Sequence, residues 1–203
     1  MRLNVPLVLA SASPRRRHLL RQLGLEVIVH PSHVEETVPD ALAPETVVQL
    51  LAKHKAEAVA PTYPEALTLG ADTIVVLDGD ILGKPGCAGE AHAMLRRLSG
   101  RTHTVYTGFA LVHPASRRAV TAFEATHVTF AHLSDEEIAA YVATGSPLDK
   151  AGAYGIQDDY GALFIPRIEG DFFNVVGLPL HRLYRILRKE FKDLLEGNTG
   201  LTG

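Results

Sequence analysis

Residues 6–23 read PLVLASASPRRRHLLRQL, and this stretch decides the architecture. Pro6 to Ala10 is an unbroken apolar run, suited to a buried strand. Ser13 can cap a helix and Pro14 is a favourable first helical residue. Leu19, Leu20 and Leu23 then fall on one face of a helix over Pro14 to Leu23. A strand running straight into a capped helix puts the helix N-terminus at the strand's carboxyl end, the arrangement of an α/β protein.

Outward from this unit, strand-like and helix-like segments alternate. Glu26 to His30 returns as a second strand, and Pro44 to Ala60 is a long helix with apolar Val47, Leu50, Leu51, Ala58 and Val59. Thr68 to Leu77 is rich in β-branched residues, and Asp78-Gly79 predicts a tight hairpin turn into Ile81-Leu82. A helix over Glu90 to Leu98 precedes two long strands, Thr104 to His113 and Ala119 to Phe130. Ser134 to Thr144 is a helix with a capping box from Ser134 and Glu137 and a stop at Gly145. Short strands are expected near Leu163 to Ile168 and Asn174 to Val176, then a last helix over Leu180 to Leu195. The expectation is a single domain over residues 1–203 with a mixed sheet and a frayed tail from about residue 197.

The chain has 203 residues, 46% of them hydrophobic, enough to bury a real core. Twenty basic against 23 acidic residues, net charge −3 and no basic run argue against a duplex-binding surface. The lone Cys87 excludes an intramolecular disulfide and a cysteine-built zinc cluster. No apolar run approaches the roughly 18 residues of a membrane span, and the N-terminus reads as a strand rather than a signal peptide. A soluble protein of a reducing compartment, without membrane or nucleic-acid partners, is expected.

Several segments could carry chemistry. In Ser11-Ala12-Ser13-Pro14-Arg15-Arg16-Arg17, free amides of a helix start, serine hydroxyls and arginine forks could cradle phosphate. An ordinary capped helix would show the same residues. Three arginines in its first turn oppose the dipole, however, unless an anion sits there. Asp72, in Gly70-Ala71-Asp72-Thr73, enters a core-like strand and needs a cation or a hydrogen-bond network, although a strand-entry turn would also suit it. Glu35-Glu36 add carboxylates of the kind that hold magnesium or manganese beside substrate phosphates; a solvated acidic pair would look the same. Lys53, Lys55, Lys84 and Lys150 are either solvated charges or polyphosphate contacts, and Gln157 is either a surface amide or a reader of a base edge. The ten histidines include no HExxH spacing, and His103 and His127 are assigned to packing or surface.

Taken in order, LASASPRR, VEE, LAKHKA, GADTIVVLDGDILGKP, MLRRLSGRTHTVYTG, DKAGAYGIQ and IEGDFFNVVGLPL resemble the Maf family of nucleotide pyrophosphatases, once described as septum-formation inhibitors. The likeness runs from about Leu7 to about Leu187. It implies a twisted mixed sheet with a cleft between two lobes, commonly as a cytoplasmic homodimer. It also implies hydrolysis of the α–β phosphate bond of a nucleoside triphosphate with a divalent cation, Mg2+ or Mn2+. By the same resemblance Ser11, Ser13 and Arg15 match the phosphate-binding loop, Glu35 an acidic active-site position and Asp72 the proton acceptor. Glu35 and Asp72 would hold the metal, and Lys55 and Lys84 match active-site lysines. Arg15, Thr73 and Gln157 fall where the family sets substrate preference, and DKAGAYGIQ resembles the subgroup acting on dTTP and UTP. The rival readings are a non-catalytic, nucleotide-binding regulator of cell division, and a dinucleotide-binding fold disfavoured by the missing glycine triad.

Overall fold

The computed structural model describes residues 1–34, 42–157 and 159–197. Its elements follow the alternation read from the sequence: β1 (Leu7–Leu9), α1 (Pro14–Gln22), β2 (Val27–Val29), α2 (Pro44–Val59), β3 (Leu67–Leu77), β4 (Asp80–Leu82) and α3 (Ala88–Leu98). Then come β5 (Thr102–His113), β6 (Arg118–Thr129), α4 (Asp135–Ala143), α5 (Asp159–Phe164), β7 (Arg167–Glu169), α6 (Phe172–Val176) and α7 (Leu180–Glu190). Local chemistry explains most boundaries. Ser13 accepts from the Arg16 amide and Pro14 opens α1, while Ser134 and Glu137 form the expected capping box on α4. Asp78 and Gly79 both have positive φ, as a type I′ hairpin turn between β3 and β4 requires.

The strand expected at Asn174 to Val176 is instead part of α6. The Asp171 carboxylate accepts from the Phe173 and Asn174 amides, and Gly177 closes the helix with φ 123°, so capping overrides the preference of the β-branched residues. Likewise the segment expected as a strand from Leu163 to Ile168 divides between the end of α5 and the start of β7. The last helix stops at Glu190, and Lys192–Leu194 make a 3-10 turn.

Seven strands form one mixed sheet in the order β2-β1-β3-β5-β6-β7, with β4 added to β3. β1 pairs in parallel with β2 and β3, whereas the remaining pairings are antiparallel. The larger core lies on the side of Leu69, Ala71, Val75, Phe109 and Leu111, sealed by α1, α3 and α7. α2 covers the other side, where Val47, Val48 and Leu51 meet Ile74. It lies unusually close to the sheet. A Cβ on Gly70 would come within 2.2 Å of the Ala52 carbonyl oxygen, and one on Gly108 within 2.4 Å of the Val48 carbonyl. Ala52, Ala56 and Ala110 complete this small-residue contact.

One consequence of register positions the site. β5 runs along one edge of β3 from Thr68 to Val76. The other edge is taken by β1 only over Leu67–Leu69 and by β4 only over Val75–Leu77. Among the described residues, Gly70 to Ile74 therefore have no strand partner on that side. No helix of the described residues is long and apolar enough to cross a membrane.

Candidate active site

The gap in the sheet opens into a cleft of about 650 Å3. Because no described strand covers that edge of β3, residues from both of its faces line one cavity. Asp72 points to the α2 side and Thr73, its neighbour, to the α1 side.

On the α2 side, the Lys55 ammonium lies 2.5 Å from Asp72 Oδ1, with Lys55 9% and Asp72 7% exposed. Lys55 shares the buried stripe of Val48, Ala52, Ala56 and Val59, so the helix phase sends a charge into the interior and the glycine contacts hold it there. A buried pair of this kind is retained at a desolvation cost that hydrophobic residues would avoid, which points to chemistry rather than stability. Lys53 faces solvent instead, 3.7 Å from Glu57.

On the α1 side, Arg16 makes three hydrogen bonds to described residues. Nε donates to the Gly177 carbonyl at 2.9 Å, Nη1 to Ser11 Oγ at 3.1 Å and Nη2 to Thr73 Oγ1 at 3.0 Å. Ser11 Oγ accepts from both Arg16 and the Ser13 amide, so the proton of its hydroxyl is what it offers the cleft. With the start of α1 pointing the same way, this wall is built to take an anion. The sequence reading placed the arginine function at Arg15; the structure adds Arg16 to the site through these contacts. Three consecutive arginines give no means of choosing before the helix phase is known. Arg15 also lines the cleft, with Nη1 3.4 Å from Asp149.

Lys84, Thr73, Ser13 and Gln157 all line the cavity. Glu35, with Glu36, lies outside the described residues. The loop carrying Gln157 is tied to the β3–β4 hairpin, since the Gly152 amide donates to the Gly83 carbonyl at 3.0 Å. Gly152 has φ 70° and a Cβ there would press on Val75, so glycine is required. Lys150, which the sequence left between two readings, is 7% exposed and lines the cleft, donating to Asp149 and to the Ser146 carbonyl. Burial works to raise the Asp149 pKa, but the ammonium of Lys150 and the guanidinium of Arg15 outweigh it and hold the carboxyl below its ordinary range.

Tyr154 closes the far wall. His103 Nε2 stands 2.7 Å from its hydroxyl, and both rings pack edge-on against Phe130. Burial lowers the His103 pKa to about 4 and raises that of Tyr154, so both stay neutral. Of the packing and surface roles read for His103, the structure shows packing.

Among the described residues, no group of three or more His, Cys, Asp or Glu converges on a metal position. The donor chemistry still fits a hard divalent ion of the magnesium type, which takes one or two carboxylates and completes its shell with phosphates and water. Among the described residues, Asp72 is the buried carboxylate of the cleft.

Comparison with known proteins gives a consistent result. The family described as Maf-like protein matches residues 6–190. A dTTP/UTP pyrophosphatase of Salinibacter ruber is 54% identical over 98% of this chain and 98% of its own. Those of Moorella thermoacetica and Symbiobacterium thermophilum are 57% and 52% identical, covering 89% and 96% of this chain and 93% and 98% of theirs.

Proposed function

Since this chain belongs to the Maf-like protein family, we propose that it is a dTTP/UTP pyrophosphatase, cutting the α–β phosphate bond to release the monophosphate and pyrophosphate. The observation that carries this reading is the buried Lys55–Asp72 pair set across an open strand edge from the Ser11–Arg16 anion wall. The polyphosphate lies along that wall, on Ser11, Ser13, Arg15 and Arg16, with Lys84 reaching from the opposite loop and Lys150 adding its charge to the cleft. Asp72 takes the proton from the attacking water, and Lys55 fixes the carboxylate's orientation while it does so. Charge developing on the departing pyrophosphate is met by the arginine, the lysines and the amides that open α1.

Asp72 would hold a magnesium or manganese ion, with Glu35 from the segment preceding α2. Such an ion, when bound, neutralises phosphate charge and makes water more acidic. Thr73 and Gln157 meet the base. The gap in the sheet is the cleft of a two-lobed, single-domain enzyme, cytoplasmic and homodimeric. Exposed Leu163, Phe172 and Phe173 give such a chain apolar surface to bury against a second copy, which sedimentation would detect.

The test is pyrophosphate release from a panel of ribo- and deoxyribonucleoside triphosphates, with magnesium or manganese. Asp72→Asn should lose at least roughly 100-fold in kcat while keeping its fold. Selective release from dTTP and UTP, lost in that variant, supports the assignment. Near-normal turnover by folded Asp72→Asn removes Asp72 from its role. No release from any nucleotide by folded, metal-supplied protein leaves the non-catalytic regulator as the better account.

A further inference from the structure

Behind the anion wall runs a file of hydrogen bonds whose direction follows from counting protons. The Asn174 carbonyl can only accept, so the single hydroxyl proton of Thr107, 2.9 Å away, is donated to it. Thr107 Oγ1 and Thr73 Oγ1 are 2.9 Å apart across the β3–β5 ladder, in direct register. Thr107 has no second proton, so Thr73 is the donor in that contact. Arg16 Nη2 then donates to Thr73 from the cleft side. The proton of Thr73 is thereby committed inward; of its two lone pairs one takes Arg16 and the other is left for the cleft.

The far end of the file is rigid. Asn174 is wholly buried, with Nδ2 donating to the Val105 carbonyl at 3.0 Å and to Thr126 Oγ1 at 2.9 Å. Asp171 caps its helix and is bound in turn to Thr126. Thr107 is 0% exposed and does not itself line the cleft, which it reaches only through Thr73.

We propose that Thr107 is a positioning residue for base selection: by consuming the proton of Thr73, it makes that cleft residue an obligate acceptor. An obligate acceptor suits a pyrimidine edge that carries N3–H, as uracil and thymine do. It opposes cytosine, whose N3 is itself an acceptor, because two facing acceptors both stay unpaired. The inference rests on the reading above that Thr73 meets the base.

The experiment compares kcat/KM for UTP and CTP in wild type, Thr107→Val and Thr107→Ser. Valine keeps the shape and frees the Thr73 proton, so the UTP-to-CTP preference should fall at least roughly tenfold. Serine restores the acceptor and the preference. A merely structural role lowers both substrates by one factor, and an unchanged ratio in folded Thr107→Val overturns the proposal. Should Thr107→Val not fold, Thr73→Val removes the acceptor itself and must also collapse the ratio; an unchanged ratio there is equally fatal. Wild type without pyrophosphate release from UTP or dTTP sinks the enzyme assignment. Wild type active on both pyrimidines without preference sinks only the base-selection mechanism.

Discussion

Replacing Gly70 by alanine should damage catalysis from a position that touches no substrate. The added Cβ would stand 2.2 Å from the Ala52 carbonyl oxygen and 2.7 Å from the Ala56 nitrogen, both backbone atoms of α2. Neither can rotate away, so the helix must rise from the sheet by roughly 1 Å to restore van der Waals contact. Overpacking of this kind costs about 1–3 kcal/mol. For a chain of this length that is a fall in Tm of roughly 2–4 °C per kcal/mol. The larger effect is on turnover. Lys55 lies between Ala52 and Ala56 on the lifted stripe, so its 2.5 Å contact with Asp72 lengthens by about the same displacement. Misplacing a catalytic group by about 1 Å costs on the order of 100-fold in rate. The assay is kcat for dTTP beside a thermal melt, with Gly108→Ala as a companion, since its Cβ meets the Val48 carbonyl further from Lys55. Gly108→Ala should destabilise comparably with a smaller loss of kcat. A folded Gly70→Ala variant that turns over dTTP within twofold of wild type would refute the claim that backbone contact sets the Lys55–Asp72 geometry.

Three further outcomes are expected. Arg16→Lys should lose roughly 10- to 100-fold in kcat/KM, because an ammonium cannot reach Gly177, Ser11 and Thr73 together; equal activity in steady-state kinetics would show that only the charge matters. His103 is held neutral in the fold with a pKa of about 4, while the unfolded chain binds its proton near 6.5. Stability should therefore fall as pH drops through that window, by about 2 kcal/mol between pH 7 and pH 5, and the denaturation midpoints of His103→Gln should lack this component. Ser134→Ala, which removes the cap of α4 far from the cleft, should cost about 1 kcal/mol in a melt without changing kcat; a change in turnover would mean that α4 bears on the site.

The elements with their own punctuation were legible in the sequence. Ser13-Pro14, Asp78-Gly79 and the Ser134–Glu137 box all carry their signal within a few residues, and each boundary fell where that signal put it. Asn174 to Val176 misled because β-branched composition was weighed above the Asp171 cap three residues upstream. Within α2 the hydrophobic pattern pointed inward at Ala58, which is exposed, and could not say which lysine was buried. The stripe Val48, Ala52, Lys55, Val59 would have identified Lys55. Lys84, Ser11, Ser13, Arg15, Thr73 and Gln157 do converge on one cleft with the Lys55–Asp72 pair. What no local pattern could reveal was the missing strand partner beside Gly70 to Ile74. It depends on where two other strands stop.

That interruption also has a bearing on the order in which the chain folds. β5 and β6 form a hairpin closed at His113 and Arg118, five residues apart, whereas β1 meets β3 only through pairs such as Leu7 with Leu67, sixty residues apart. Contacts between near neighbours are rewarded before distant ones, because less loop entropy is lost in making them. The hairpin and its partner β3 therefore come together early, carrying Asp72 and Thr73 already in register. The Ser11–Arg16 wall arrives with β1, among the latest pairings to close. On this order, activity is expected to appear only once the parallel end of the sheet has docked.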